Sequence, residues 1–395
     1  MPQFGSTDRV GLNVVAETTW GVTPTTPAFS AVRFTGESLN FTTSFVSSEE
    51  IRADRMQTDT QKVSQQGAGD INGEMTYGTY DTFLSAAFMA NWVTSGTPKT
   101  ATDIALVKTA GTPNTWALTG TTMSGVGAVG QWVRVVRGAL TFYARLTSVA
   151  AGTLGIQPLT DEPSWASGTS VVITPLNYLR NGTTKKSLSI QKVYNDLAAV
   201  TYHNFVGAKV GTWNLELTTA ALIKTSFGVM AKDATMSETQ IADATVAAAN
   251  TNPSMNAADN VLGVVFDGDA GGSAYYFNTL KLTLDNALRA QMAVGTVGLI
   301  GIEAGKLKTT GTIEIYFESK ALYDRFRAAT ALSLDFLMQD ANGNIYAVTL
   351  PKVKFTKMEI VAGAQNQDIF AKCDFEALMN AESTYQIQLS RLAAA

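Results

Sequence analysis

At 395 residues the chain is long enough for two or three domains with cores of their own. Only 16 % of its residues are charged and the formal net charge is −4, which argues against tight wrapping of nucleic acid, since that needs basic patches. No apolar run approaches the roughly 18 residues of a membrane span, and the first residues lack the basic and apolar regions of a signal peptide.

The first part of the chain is predicted to be extended and then to form a strand and a long polar segment. Prolines, a glycine and threonines in residues 1–28 favour an extended arm over a helix, and a strand is predicted at 31–45. Segment 47–69 is long for a connection within a compact domain. It is interpreted either as a surface loop or as an arm ordered against a neighbouring subunit by salt bridges. The arm interpretation gives these candidate contact residues: Glu49, Glu50, Arg52, Asp54, Arg55, Asp59 and Lys62.

A strand followed by a helix is predicted at 73–92. Met75, Tyr77 and Thr79 alternate with other residues as on a half-buried strand, and the period becomes helical after Asp81, the predicted N-cap. The predicted anchors of this helix on the sheet are Phe83, Leu84 and Phe88.

The composition changes at Ser95. Residues 95–180 are rich in Gly, Thr, Ser and Val and contain short β runs, which predict a small antiparallel barrel or sandwich. The strand pattern resumes at 185–196, so 95–180 is interpreted as a domain inserted at an exposed turn. The Asn-Gly pair at 342–343 predicts a hairpin with a type I′ turn.

The strand and helix of 73–92 are written a second time at 311–330. Without a gap, Gly73 matches Gly311 and Asp81 matches Ser319. Leu322 and Phe326, which match Leu84 and Phe88, are the predicted anchors of the second helix. This repeat predicts two similar domains in one chain. The predicted division is a first domain at 1–94 and 181–240, the inserted domain at 95–180, a linker at 241–260 and a second domain at 261–395.

The sequence offers little chemistry for catalysis or metal binding. His203 is the single histidine, so a His-rich metal site within one chain is impossible, and no Gly-x-Ser-x-Gly motif accompanies it. Cys373, the single cysteine, cannot form an internal disulfide bond, which fits synthesis in a reducing cytosol. We therefore predict no catalytic residue, no metal site and no cofactor.

Six segments of the chain, taken together, resemble one family, the tail tube proteins of long, flexible-tailed bacteriophages. The resemblance is carried by ETTWGVTP, SSEEIRADR, GEMTYGTYDTFLSAAF, LRNGTTKKSLSIQK, GTIEIYFESKALYDRF and LPKVKFTKMEI. It implies a mainly β fold, sandwich-like or barrel-like with few short helices, whose subunits close into rings. The rings stack into the conduit through which phage DNA is ejected, and 47–69 contacts the next ring.

The resemblance also implies where the protein works and with what. It implies a place in the virion tail after assembly in the host cytoplasm, with the tape measure, tail terminator and tail tip proteins as partners and no membrane. Genomic DNA is expected to pass through the lumen without specific binding, since an acidic wall repels phosphate. The inserted domain departs from the family pattern and is expected to project from the outer wall.

The predicted duplication bears on the number of chains in a ring. A lumen lined by about four strands from each tube domain needs about 24 strands for a bore of roughly 40 Å. Six chains of two domains each would supply about 48 strands and a bore of roughly 90 Å. The expectation is therefore a trimeric ring with pseudo-sixfold symmetry.

Two other function classes stay open from sequence alone. One is a β-rich adhesin or carbohydrate-binding module of a phage or surface appendage. The other is a β-rich hydrolase, although no acidic pair stands out. Assembly of the purified protein into rings or tubes would distinguish a tail tube protein from an adhesin and from a hydrolase.

Overall fold

A computed structural model shows a mainly β chain with two short helices in its described part. Strands make up 54 % of it and helices 5 %, as the sequence predicts. The structure describes residues 4–111, 114–120, 123, 125–266, 275–318, 320–363, 365–381 and 383–394. Ser319, the predicted counterpart of Asp81, lies outside these residues.

The elements fall into three groups, defined here by their residues: the first half (4–94 and 177–247), the inserted barrel (99–175) and the second half (261–394). The first half contains β1 (Val10–Ala16), β2 (Ala28–Ala31), β3 (Gly36–Glu37), β4 (Asn40–Ser47), β5 (Thr60–Glu74), α1 (Asp81–Ala87), β12 (Asn177–Arg180), β13 (Leu188–Tyr194), β14 (Thr201–Thr218), β15 (Lys224–Ala231), β16 (Asp233–Ser237) and β17 (Thr245–Ala247). The inserted barrel contains β6 (Lys99–Thr109), β7 (Thr115–Thr119), β8 (Trp132–Arg137), β9 (Leu140–Val149), β10 (Thr153–Pro158) and β11 (Trp165–Pro175). The second half contains β18 (Val261–Phe266), β19 (Phe277–Asp285), β20 (Arg289–Gln291), β21 (Gly301–Glu303), β22 (Lys308–Tyr316), α2 (Ala321–Arg327), β23 (Leu332–Gln339), β24 (Ile345–Ile360), β25 (Phe370–Ala377) and β26 (Gln388–Leu392).

Eight antiparallel strands form one continuous sheet across both halves, called the central sheet below. Their order is β4, β5, β15, β14, β19, β22, β25 and β24. The halves meet where β14 pairs with β19, from Thr212 opposite Asp285 to Thr218 opposite Thr279. Each half therefore contributes four strands.

The two halves follow the same order of strand pairing. In the first half the order is β1, β13, β14, β15, β5, β4, and in the second it is β18, β23, β24, β25, β22, β19. The register shifts also correspond. Between β13 and β14 the register shifts after Leu188, and between β23 and β24 it shifts after Leu332. Between β14 and β15 it shifts after Val210, and between β24 and β25 it shifts after Phe355.

These ladders correct the register of the sequence match in the strand. When the two halves are aligned at the second register shift, Asp70 on β5 takes the same position as Thr312 on β22. The counterpart of Gly311 is therefore Gly69 and not Gly73. A Cβ on Gly69 would lie 2.4 Å from Ser38 O, and one on Gly311 would lie 2.3 Å from the backbone oxygen of the adjacent β19. Both glycines therefore allow a close approach of neighbouring backbone, from the β3–β4 connection at Gly69 and from β19 at Gly311.

Strand boundaries around the polar segment also differ from the prediction. The segment predicted as a loop over 47–69 is strand from Thr60 onward, because it pairs with β4 along an exposed hairpin. The alternation predicted through Met75 to Thr79 is not a strand, because β5 ends at Glu74 and Gly78 turns the chain with φ +80°.

Asp81 is not the N-cap of α1. The helix begins at Asp81, Tyr80 occupies the cap position, and no side chain caps it. The Asp81 carboxylate instead accepts a hydrogen bond from Tyr346 Oη at 3.0 Å and pairs with Arg391. A residue predicted to serve its own helix thus ties the first half to the second.

Other differences lie at the ends and in the connections. Residues 1–28 contain β1, paired with β13, and the strand predicted at 31–45 is divided among β2, β3 and β4. Within the predicted linker 241–260, β17 pairs in parallel with β2. The β23–β24 hairpin is present, but of its residues only Gly343 has positive φ, which is not a type I′ turn.

The inserted barrel is a closed six-stranded barrel with its own apolar core. It follows α1 in sequence but packs on the second half. Trp132 Nε1 donates a 2.7 Å hydrogen bond to Thr349 Oγ1, and Arg145 pairs with the buried Asp335 at 3.3 Å. The Trp132 ring, Leu159 and Leu337 belong to one apolar cluster around this contact.

Candidate functional site

The central sheet has one apolar and one polar face. On the apolar face a row of cross-strand neighbours, Ile71, Phe227, Trp213 and Leu284, is fully buried. Both helices lie on this side. The Phe83 ring packs 5.3 Å from Phe227.

All five predicted helix anchors contact the core. Phe83, Leu84 and Phe88 are at most 1 % exposed, and Phe88 packs 5.5 Å from the ring of Trp213. Leu322 is 4 % exposed and Phe326 is half-buried against the same core. The helices therefore cover the apolar face in both halves.

The polar face carries cross-strand rows in which charge alternates. Glu74 lies opposite Lys224, Lys224 opposite Glu216, and Glu216 opposite Lys281, with 2.8 Å between the ions of the last pair. Alternation along the eight strands places eight carboxylates and seven lysines on this face, an excess of one negative charge. They are Asp70, Glu74, Glu216, Asp285, Glu314, Glu359, Asp374 and Glu376, with Lys209, Lys224, Lys281, Lys308, Lys354, Lys357 and Lys372.

Both outer edges of the central sheet are free. Within the described ranges no strand pairs with the outer side of β4, and β24 has only β25 beside it from Lys354 to Ile360. Met358 and Ile360 on one edge, and Phe41 on the other, are half-buried and point to the core side. Free edges with apolar side chains are templates for pairing with another chain.

The exposed end of the β4–β5 hairpin (residues 44–63), called the arm below, projects from the first half. All seven predicted contact residues are exposed. Arg52 and Asp54 form an ion pair at 2.6 Å within the tip, and the Arg52 hydrogen bond lowers the pKa of Asp54. Glu50 accepts a 3.1 Å hydrogen bond from Thr58. The structure thus gives these charges partners inside the arm itself.

The arm also carries exposed apolar side chains that the sequence pattern did not single out. Ile51 is 100 % exposed and Met56 is 64 % exposed, and Phe45 on the stem is 60 % exposed. These side chains have little apolar contact in the chain. Their signal in the sequence is weak because single apolar residues in a polar segment are common on protein surfaces.

The single histidine and the single cysteine are both buried. Burial lowers the pKa of His203, with Lys192 adding to the effect, and burial raises the pKa of Cys373 to about 12. Among the residues described, no group of three or more His, Cys, Asp or Glu side chains is placed to hold a metal ion. No helix in the same part of the chain is long and apolar enough to cross a membrane.

A two-faced sheet with free edges, an exposed hairpin and helices on one side defines a building block of a larger β assembly. The model of one family, described as phage tail tube protein, matches residues 7–377 of the chain. No curated protein sequence gives a significant match.

The chain belongs to the phage tail tube protein family. It is a structural component of the virion and assembles with other tail proteins into a tube. The carbohydrate-binding alternative is not favoured by this match.

Proposed function

We propose that this chain is the major tail tube subunit of a long, flexible-tailed phage and that three copies close into one ring. The observation that carries this proposal is the central sheet. Four strands from each half already form a continuous wall inside one chain, and both outer edges are free. Three copies supply about 24 strands, which fits a bore that admits DNA.

The joint between β14 and β19 serves as a template for the joint between chains. By the pairing order, β24 corresponds to β14 and β4 corresponds to β19. Transferring the register places Lys357 opposite Thr42 and Met358 opposite Phe41 of the next copy. Apolar residues then meet on the core side and polar residues meet on the other side, as they do within the chain.

In this ring the polar face lines the lumen. Its small excess of carboxylates supports passage of DNA without specific binding, because phosphates meet no net positive wall. The helices then lie outside the wall, and the inserted barrel, which packs on the second half, lies on the outer side as well.

The same proposal assigns the remaining features. The two similar halves are tube domains from a duplication, and the ring has pseudo-sixfold symmetry. The arm contacts the next ring in the stack. The partners are the tape measure, tail terminator and tail tip proteins, assembly takes place in the host bacterial cytoplasm, and the role is structural and not catalytic.

The transferred register is tested by charge at one edge position. Thr42 is exposed on β4. Thr42→Lys places a cation opposite Lys357 of the next copy and weakens assembly, whereas the matched control Thr42→Glu does not, because opposite charges on facing strands attract. Adding Lys357→Glu to Thr42→Lys restores assembly.

Assembly is measured by sedimentation and negative-stain imaging. Equal assembly of the Thr42→Lys and Thr42→Glu variants contradicts the register. A protein that stays monomeric at every concentration, even with a tail initiator complex, contradicts the ring itself.

A further inference from the structure

The first half has a cleft at the end of the central sheet away from the arm, and the chain itself fills it. Met255, from the connection between the halves, lies between Met75 and Ile223 and is fully buried. Its amide donates a 2.9 Å hydrogen bond to the Met75 carbonyl, and its carbonyl accepts one of 2.9 Å from the Ile223 amide. The segment thus adds a short strand to the sheet.

The corresponding cleft of the second half is open. By the pairing order, Phe317 corresponds to Met75 and Ile369 corresponds to Ile223. Both pairs make the same backbone hydrogen bond. The Met75 amide donates to the Ile223 carbonyl at 2.8 Å, and the Phe317 amide donates to the Ile369 carbonyl at 3.0 Å. Within the described ranges, the Phe317 carbonyl and the Ile369 amide have no hydrogen-bond partner. These are the two groups that Met255 satisfies in the first half.

Aromatic side chains surround this open cleft. Tyr276 is 65 % exposed, Tyr316 39 % and Phe317 38 %, and Ile369 beside them is 43 % exposed. Together with Glu318, Gln367 and Asp368 they line an open cavity of about 670 Å³. Its apolar part and the two unpaired backbone groups fit an extended peptide that brings one large apolar side chain.

The strand order identifies the counterpart of Met255. Met255 lies six residues before Val261, the first residue of β18, and Phe4 lies six residues before Val10, the first residue of β1. β18 and β1 hold the same place in the two halves, and a tight turn precedes each strand. Phe4 is 81 % exposed in its own chain.

We propose that Phe4 of a neighbouring copy of this chain fills the cleft between Phe317 and Ile369. Within one chain, the segment before β18 fills the cleft of the preceding half. In the ring, each second half is followed by the first half of the next copy. The segment before β1 of that next copy therefore fills the cleft of the second half. The Phe4 ring packs among Tyr276, Tyr316 and Phe317, and its backbone pairs with the two open groups. The inference rests on the proposed ring.

Paired cysteines test this contact in assembled tubes. A disulfide bond requires Cα atoms about 4.4–6.8 Å apart, and the native Cys373 is buried. Phe4→Cys combined with Ile369→Cys is expected to give covalent trimers under mild oxidation, which a reductant separates. The matched control is Phe4→Cys combined with Val107→Cys, an exposed position on the inserted barrel, and it stays monomeric on a denaturing gel.

Three outcomes are distinguishable. Tubes that form but give only monomers with the Phe4 and Ile369 cysteines overturn the inference and leave the ring intact. An unmodified chain that forms no rings overturns the ring proposal and the inference together. Equal cross-linking of the control pair also counts against a specific contact.

A substitution at Phe4 gives a second measurement. Phe4→Asp is expected to raise the concentration needed for assembly by about tenfold or more, since it buries a carboxylate without a partner. Phe4→Leu keeps the apolar contact and assembles nearly as the unmodified chain does. The melting temperature of the unassembled protein stays the same for both, because Phe4 is exposed there, and unchanged assembly of Phe4→Asp contradicts the proposal.

Discussion

Leu84 and Phe88 illustrate what single residues contribute to this fold. Their helical spacing predicts one buried stripe, and the structure buries both against the apolar face of the central sheet. Local spacing did not predict the contacts of Asp81, because its partners Tyr346 and Arg391 lie more than 250 residues away in sequence. Long-range polar pairs of this kind leave no periodic signal.

We expect Leu84→Ala to lower the free energy of unfolding by about 2–5 kcal/mol, as removal of a buried leucine does. The control is Tyr323→Ala on α2, where the side chain is 42 % exposed and the loss is about 0.5 kcal/mol or less. Urea unfolding of unassembled protein measures both. Equal losses contradict the anchoring role of Leu84.

Arg145 is expected to matter more at high pH than at low pH. Burial raises the pKa of Asp335, and Arg145 opposes this shift. Without Arg145 the buried carboxylate has no cation, so the folded state favours the protonated acid and stability falls as pH rises from the unfolded pKa of an aspartate upward. The sign follows because the folded state then binds more protons than the unfolded state.

Thermal unfolding of Arg145→Ala at pH 5 and pH 8 checks this. The loss of melting temperature is expected to be larger at pH 8. Lys108→Ala removes a surface ion pair with Asp161 and serves as the control, with a small loss at both pH values. A loss for Arg145→Ala that does not change with pH contradicts the account.

Among the elements, strands that pair with a neighbour close in sequence were predicted, whereas strand ends that depend on more distant contacts were not. The short β runs predicted within 95–180 are confirmed by β8, β9 and β10, which pair with one another across short turns. The start of β5 at Thr60 was not predicted, because its residues are polar on both sides and only pairing with β4 makes them a strand. The end of β5 depends on a turn at Gly78.

The arm provides a test at this scale. Ser48 and Asp59 are already joined by a 3.0 Å backbone hydrogen bond, so residues 49–58 can be replaced by an Asn-Gly turn. We expect this variant to fold and form rings but not stacks, because it lacks Ile51 and Met56. Negative-stain images and a melting curve measure the two effects.

A matched variant separates arm length from arm charge. Arg52→Ala with Asp54→Ala keeps the arm and removes its internal ion pair. We expect it to stack, since an exposed ion pair contributes little. Full-length tubes from the shortened arm show that the arm does not mediate stacking.

In the whole molecule, the ring proposal depends most on the joint between β14 and β19. The repeat in the sequence indicated two similar units, but not that their sheets join edge to edge, because neither strand carries a signal for its partner. The ladders further show the match in the strand to be four residues out of register. Residues of one half can be matched to residues of the other only by using the strand pairing and the register shifts of the structure.

The most direct measurement is a count of chains per ring in an image reconstruction of the assembled tube. We predict three chains in each ring, a wall of about 24 strands and a bore of roughly 40 Å. The map is expected to show six similar wall segments, with the inserted barrel on the outside of every second one. A ring of six chains with both halves in the lining would contradict the proposal.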